Sequence, residues 1–199
     1  CFIISILLVM AVVYIISAIR GDSRQLLPLA FTLSLAVANG MIGFFDDYTK
    51  LIKKQNEGLT ARQKYLLQLV AAALFLILIA ATDIVNTTLY IPFIGYTLEL
   101  GIFYYIIALL LLTGMVNSVN LTDGIDGLAS GLCIIGISVF TAVFLVNGFQ
   151  RFTIIAFAAL GCLIPFYCYN VFGKAERNNK IFLGDTGSLF LGGAVAALA

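Results

Sequence analysis

The sequence predicts an all-α, polytopic membrane protein, and three observations carry that prediction. Hydrophobic residues make up 62% of the 199-residue chain, charged residues 11%, and the mean hydropathy is +1.08, far outside the range of water-soluble domains. The apolar residues are gathered into hydrocarbon-length runs. The polar residues fall in short clusters between those runs, where an Asp is cheaper than at mid-bilayer by about 2.5 to 3.5 kcal/mol.

About seven transmembrane segments and one short periplasmic β-hairpin follow from taking the chain in order. Residues 1–19 form a first apolar run, and 20–24 a polar turn containing Arg20, Asp22 and Arg24. The second run, 26–45, ends in Asp46-Asp47-Tyr48-Thr49-Lys50 and a basic loop through Lys64. Within that loop Thr60-Ala61-Arg62-Gln63 reads as a capping box opening the third segment, 65–81. Residues 86–101 break the pattern: Leu89-Tyr90-Ile91 and Tyr96-Thr97-Leu98 flank Pro92 and Gly95, as in a hairpin at the membrane surface. A fourth segment runs from about Gly101 into an Asn-Asp cluster; a fifth covers 128–146 and a sixth 152–169. A polar, basic loop over 170–180 then leads through Ile181-Phe182-Leu183-Gly184-Asp185-Thr186-Gly187-Ser188 into a seventh.

The chain begins in an apolar run without Met and ends fourteen residues after Asp185, short of the roughly 20 needed to span. It therefore reads as a single membrane domain, 1–199, truncated at both ends. The four cysteines, Cys1, Cys133, Cys162 and Cys168, lie in or beside apolar runs without CxxC spacing and read as buried free thiols. Gly131, Gly136, Gly161, Gly192 and Gly193 read as sites of close helix contact.

Chain ends alternate sides with each crossing, so the clusters after segments two, four and six share one face. That face also holds Lys50, Lys53, Lys54, Arg62, Lys64, Lys174, Arg177 and Lys180, against Arg20, Arg24 and Arg151 on the other. By the positive-inside tendency it is cytoplasmic. The central cluster, Asn117 to Gly127, places Asn117, Asn120, Asp123 and Asp126 at every third position, along one face if a helix persists. Gly124 and Gly127 equally allow a turn whose bare amides approach a phosphate or a ring.

A formal charge of +1 excludes a polyanion-binding surface as the main theme, so no nucleic acid partner is expected. Zero His removes the commonest general base and metal ligand. Carboxylates must carry any such chemistry, and five Asp converging on one boundary with lysines nearby make a hard-oxygen site of the kind that holds Mg²⁺ against phosphates. Enzyme chemistry joining a lipid phosphate to a water-soluble nucleotide fits that depth. An ion-coupled transporter is the alternative from another class, and it predicts acids at mid-span and on both faces.

Four ordered motifs make the resemblance specific: Gly43-Phe44-Phe45-Asp46-Asp47-Tyr48-Thr49-Lys50, Gly58-Leu59-Thr60-Ala61-Arg62-Gln63-Lys64, the run from Asn117 through Ala129, and Phe182-Leu183-Gly184-Asp185-Thr186-Gly187-Ser188. Together they resemble the phospho-N-acetylmuramoyl-pentapeptide transferases of the polyprenyl-phosphate N-acetylhexosamine 1-phosphate transferase superfamily. The resemblance implies a Mg²⁺-dependent enzyme of the bacterial inner membrane that joins UDP-MurNAc-pentapeptide to undecaprenyl phosphate, giving lipid I and UMP. A homodimer in the bilayer is a further expectation. It implies Asp46 and Asp47 as catalytic carboxylates, Asp185 as a catalytic metal ligand and Lys50 as a phosphate contact. Asn117, Asn120, Asp123, Gly124, Asp126 and Phe182 are the substrate-binding residues it implies, with Phe182 stacking on uracil. The nearest rival is a sister transferase using a UDP-N-acetylhexosamine without peptide. One departure is the link over 171–180, longer than is usual in that family and without Pro. Motifs expected on either side of the chain are absent, and a chain of this extent alone is expected to be inactive.

Overall fold

The computed structural model describes residues 2–19, 27–55, 57–82, 86–91, 94–177 and 179–199. The expected turn at 20–24, with Arg20, Asp22 and Arg24, lies outside the described residues, as do Cys1, Asp83 and Pro92. Seven α-helices, a 3₁₀ turn at Ala175–Arg177 and one two-stranded antiparallel sheet make up the regular structure of the described residues. They run α1 (Phe2–Ile19), α2 (Leu27–Lys53), α3 (Ala61–Ala81), β1 (Thr88–Ile91), β2 (Tyr96–Glu99), α4 (Ile102–Thr122), α5 (Leu128–Val146), α6 (Gln150–Phe172) and α7 (Gly184–Leu198).

Five helices, α2 to α6, are long and apolar enough to cross a bilayer. The chain is a multi-pass membrane protein. Helix α1 is also apolar along its length, whereas α7, at 15 residues, covers only about 22 Å. The shortest helix is nevertheless the hub. From Gly187 to Leu198 nearly every side chain of α7 is buried by protein, and its main neighbours are α2 and α4.

Small residues let the backbones approach there. A Cβ on Gly192 would lie 2.8 Å from Val116 Cα of α4, and one on Gly193 would lie 2.9 Å from the Leu35 carbonyl oxygen of α2. At Gly43 it would fall on the Asp185 carbonyl, so the two chain segments that carry the acidic motifs touch backbone to backbone. A Cβ on Gly131 would lie 3.3 Å from the Tyr167 ring, but one on Gly136 or Gly161 would find nothing within 4 Å among the described residues. Among those residues the two glycines make no close helix contact, contrary to expectation.

Helix α2 runs two turns past the apolar run that ends at Phe45. Hydropathy marks where hydrocarbon ends, and nothing between Phe45 and Lys53 breaks a helix. Asp46, Asp47 and Lys50 thus stand on a helix rather than in a loop. The three described cysteines are free, as expected, but among them only Cys133 is buried; Cys162 is half-buried and Cys168 exposed.

Candidate active site

Helix phase brings the first group together. Asp46 and Lys50 are four residues apart on α2, and Lys50 Nζ lies 2.7 Å from Asp46 Oδ2, the i,i+4 geometry of a helix surface. Asp46 is 1% exposed because the loop before α3 folds over it. Leu59 N donates to Asp46 Oδ1 at 2.7 Å, and Gly58 permits that approach, since its Cβ would lie 2.5 Å from the same oxygen.

The capping box is present. Gln63 N donates to Thr60 Oγ1 and Thr60 N donates to Gln63 Oε1, which fixes the start and phase of α3. One turn on, Lys64 Nζ lies 3.2 Å from both Asp46 Oδ2 and Asp185 Oδ2. Another turn on, the buried Gln68 accepts from Asn117 Nδ2 at 2.6 Å.

Asp185 enters from the first turn of α7. Its Oδ2 accepts from Lys50 Nζ at 2.5 Å and its Oδ1 from Asn120 Nδ2 at 2.8 Å. Asn120 also donates to Ser188 Oγ at 2.8 Å, tying α4 to α7 at the site. Burial disfavours the charged form of Asp185, but the hydrogen bonds from Lys50 and Asn120 and the charge of Lys64 hold its carboxyl well below the usual range. Asp47 caps α7. Asp47 Oδ2 accepts from Thr186 N at 2.9 Å and from Thr186 Oγ1 at 2.6 Å, so one carboxylate fills another helix's open N-terminus.

These three carboxylates fit a divalent cation. Asp46, Asp47 and Asp185 each offer an oxygen, and the three atoms lie within 4.8 Å of one another, a spacing that hard-oxygen ligation can close. Asp46 Oδ2 is buried and faces the ammonium groups of Lys50 at 2.7 Å and Lys64 at 3.2 Å, so a divalent cation at this oxygen would take the place of a lysine.

The central cluster divides in two. Helix α4 persists through Thr122, so Asn117 and Asn120 are helical and look toward α3 and α7 respectively. Asp123 and Asp126 fall in the turn to α5. Asp123 is pushed up to about 6 by burial first, and then by the negative charges of Asp185, Asp126 and Asp47. Asp126 Oδ2 pairs with Lys180 Nζ at 2.6 Å. Lys180 Nζ also stands 5.6 Å from the centre of the Phe182 ring, within cation–π range, and that ring is 71% exposed. Gly124 is exposed with only the Leu121 carbonyl near a notional Cβ.

Asn170, 6% exposed, clamps this second group. Its Oδ1 accepts from Gly127 N at 2.6 Å and its Nδ2 donates to the Ile181 carbonyl at 2.8 Å. The unusual link over 171–180 is thereby held against the α4–α5 turn. Gly127, at φ +80°, faces Val171 and the Tyr167 ring so closely that a Cβ has no room.

The sequence model of glycosyl transferase family 4 matches residues 29–199. The chain belongs to that family. The match takes in α2 through α7 and so every residue of both clusters. The chain is similar to the phospho-N-acetylmuramoyl-pentapeptide-transferase of Staphylococcus aureus, 39% identical over 178 residues, covering 88% of this chain and 54% of that relative. It is similar also to the phospho-N-acetylmuramoyl-pentapeptide-transferase of Listeria monocytogenes, 40% identical over 185 residues, covering 93% and 55%. The chain spans about half the length of these curated relatives.

In this family-4 chain Lys64, Gln68, Thr186, Ser188 and Asn170 join the residues picked out by sequence. Lys64 and Gln68 carried a readable signal, since polar residues four apart at the start of an apolar helix share a face. Thr186 and Ser188 stand in the motif at 182–188, but their partners, like those of Asn170, show only in the fold.

Proposed function

We propose that this site transfers phospho-MurNAc-pentapeptide from UDP-MurNAc-pentapeptide to undecaprenyl phosphate, giving lipid I and UMP in peptidoglycan synthesis. The observation that carries the reading is the meeting of Asp46, Asp47 and Asp185, from two helices far apart in sequence, within 4.8 Å in a chain of this family. The basic residues around that end of the bundle support a site on the cytoplasmic face of the bacterial inner membrane, a depth that a nucleotide and a lipid phosphate can both reach.

The chemistry asks mainly for alignment and neutralisation. The lipid phosphate oxygen attacks the phosphorus that bears the sugar, the bond to the other phosphate breaks, and UMP leaves. Lys50 and Lys64 stand among the carboxylates, where their ammonium groups can meet phosphate oxygens as charge moves to the leaving group. Asp46 Oδ2, which faces Lys50 and Lys64, takes the proton if the lipid phosphate arrives as a monoanion. Mg²⁺ held by Asp46, Asp47 and Asp185 would supply Lewis-acid neutralisation of the phosphoryl oxygens. Phe182, exposed and backed by Lys180 and Asp126, stacks on the uracil. A single in-line displacement suffices, because both substrates are held at once.

The test is UMP release by the full-length protein supplied with undecaprenyl phosphate, Mg²⁺ and either UDP-MurNAc-pentapeptide or UDP-GlcNAc. Turnover of the muramoyl substrate supports the proposal; turnover of UDP-GlcNAc alone moves the protein to the sister branch.

A further inference from the structure

The hairpin between α3 and α4 has two unlike faces. In the ladder Thr88 opposes Glu99, Leu89 opposes Leu98, Tyr90 opposes Thr97 and Ile91 opposes Tyr96. Opposed residues share a face and successive pairs alternate. One face therefore carries Leu89, Leu98, Ile91 and Tyr96, and the other carries Thr88, Glu99, Tyr90 and Thr97. Seven of these eight residues are exposed and Ile91 is half-exposed, so the described part of the chain covers neither face.

We propose that the apolar face of this hairpin is a membrane-docking surface whose partner is the bilayer interface at the end opposite the carboxylates. Three observations choose that occupant. First, the hairpin is joined to α4 through Leu100 and Gly101 only, and Leu100 N continues the ladder by donating to the Thr87 carbonyl at 3.0 Å. Helix α4 has 21 residues, about 31 Å, the thickness of the hydrocarbon layer. With Asn120 at the carboxylate site, its other end and the hairpin base reach the opposite edge of that layer. Second, Glu99 fixes the orientation. A carboxylate so close to hydrocarbon must face water, which turns Leu98, one position earlier, toward lipid. Tyr96 on the same face is a side chain suited to the headgroup boundary. Third, a second copy of the chain is a poor occupant. Four-residue strands offer a face of roughly 14 by 10 Å, far below the about 800 Å² per partner of a stable interface.

The consequence is positional. The hairpin links the outer ends of the two helices that carry Lys64 and Gln68 on one side and Asn117 and Asn120 on the other, and its seat fixes their depth in the bilayer.

These 199 residues contain no Trp, so an introduced indole is the only one in this part of the chain, and subtraction of the parent full-length protein's signal isolates it. Tyr96→Trp and Tyr90→Trp place it on opposite faces by a conservative change, and Leu98→Trp and Thr97→Trp repeat the comparison. Each full-length protein is reconstituted in phosphatidylcholine bilayers with brominated acyl chains, against the parent protein's signal. Quenching by bromolipid severalfold stronger at 96 and 98 than at 90 and 97, with iodide in the water showing the reverse order, is the expected result. Equal bromolipid quenching on both faces overturns the proposal. So does an indole at 96 and 98 shielded from both quenchers, which would mean that protein covers the face, or shielding that appears only at high protein density, which would mean a second copy.

Discussion

Asp47 of α2 caps the helix that presents Asp185, its Oδ2 accepting both the backbone amide of Thr186 at 2.9 Å and the Thr186 hydroxyl at 2.6 Å. The contact makes the α2–α7 crossing and the carboxylate cluster one structure. Asp47→Ala should lower the stability of the detergent-solubilised protein by about 1 kcal/mol, and Asp47→Asn, which keeps an acceptor, by less. Thermal unfolding of the two variants against the parent checks the order.

Lys50 neutralises a carboxylate that is 1% exposed. Lys50→Met leaves Asp46 with Lys64 as its remaining cation and should cost up to about 3 kcal/mol. Lys53→Met, at an exposed position on the same helix, should stay within about 0.5 kcal/mol. Equal losses for both would mean that Lys50 is a surface charge.

The glycines separate into two kinds. At Gly43 a Cβ falls on the Asp185 carbonyl, and at Gly58 it lies 2.5 Å from Asp46 Oδ1 and 2.7 Å from the Asp46 carbonyl oxygen; Gly43→Ala and Gly58→Ala should each destabilise by about 1 to 3 kcal/mol. Gly136→Ala and Gly161→Ala meet nothing within 4 Å and should stabilise by up to about 1 kcal/mol through helix propensity. Melting temperatures of the four variants decide it.

Much of this fold was legible. Long apolar runs marked the helices, Thr60 and Gln63 marked the start of α3, and alternation around Gly95 marked the hairpin. What hydropathy could not mark was where a helix ends once it leaves hydrocarbon, which is why Asp46, Asp47 and Lys50 turned out to be helical. Nor could it show that α7 is the hub, since its centrality lies in Gly192 and Gly193 meeting Val116 and Leu35 across the bundle. The site was half legible. The acids announced themselves by charge in an apolar chain, whereas the partners of Asn170 and Ser188, namely Gly127, Ile181 and Asn120, show only in the fold.

Asp123 predicts a pH dependence. Its carboxyl is raised to about 6 in the fold from an ordinary value of about 3.9, so the folded state favours the protonated form. That contribution to stability is full below about pH 4 and is lost as pH rises through about 6. Asp123→Asn should flatten this part of the curve. Unfolding temperatures between pH 4 and 7.5 in a metal chelator, parent against variant, show whether the slope belongs to Asp123.

Lys180 joins Asp126 to Phe182. Under the proposed function, Lys180→Ala in the full-length protein should raise KM for UDP-MurNAc-pentapeptide by about tenfold at most and change kcat less. A fall in kcat with unchanged KM would take Lys180 out of the nucleotide side of the site.

The central claim is that Asp46, Asp47 and Asp185 act as one cation-gripping group in phosphoryl transfer. Its most direct test is a Mg²⁺ titration of UMP release by the full-length Asp185→Asn protein beside the parent. Loss of turnover by about 100-fold or more at every Mg²⁺ concentration is the predicted result. An unchanged rate with unchanged Mg²⁺ dependence would contradict it.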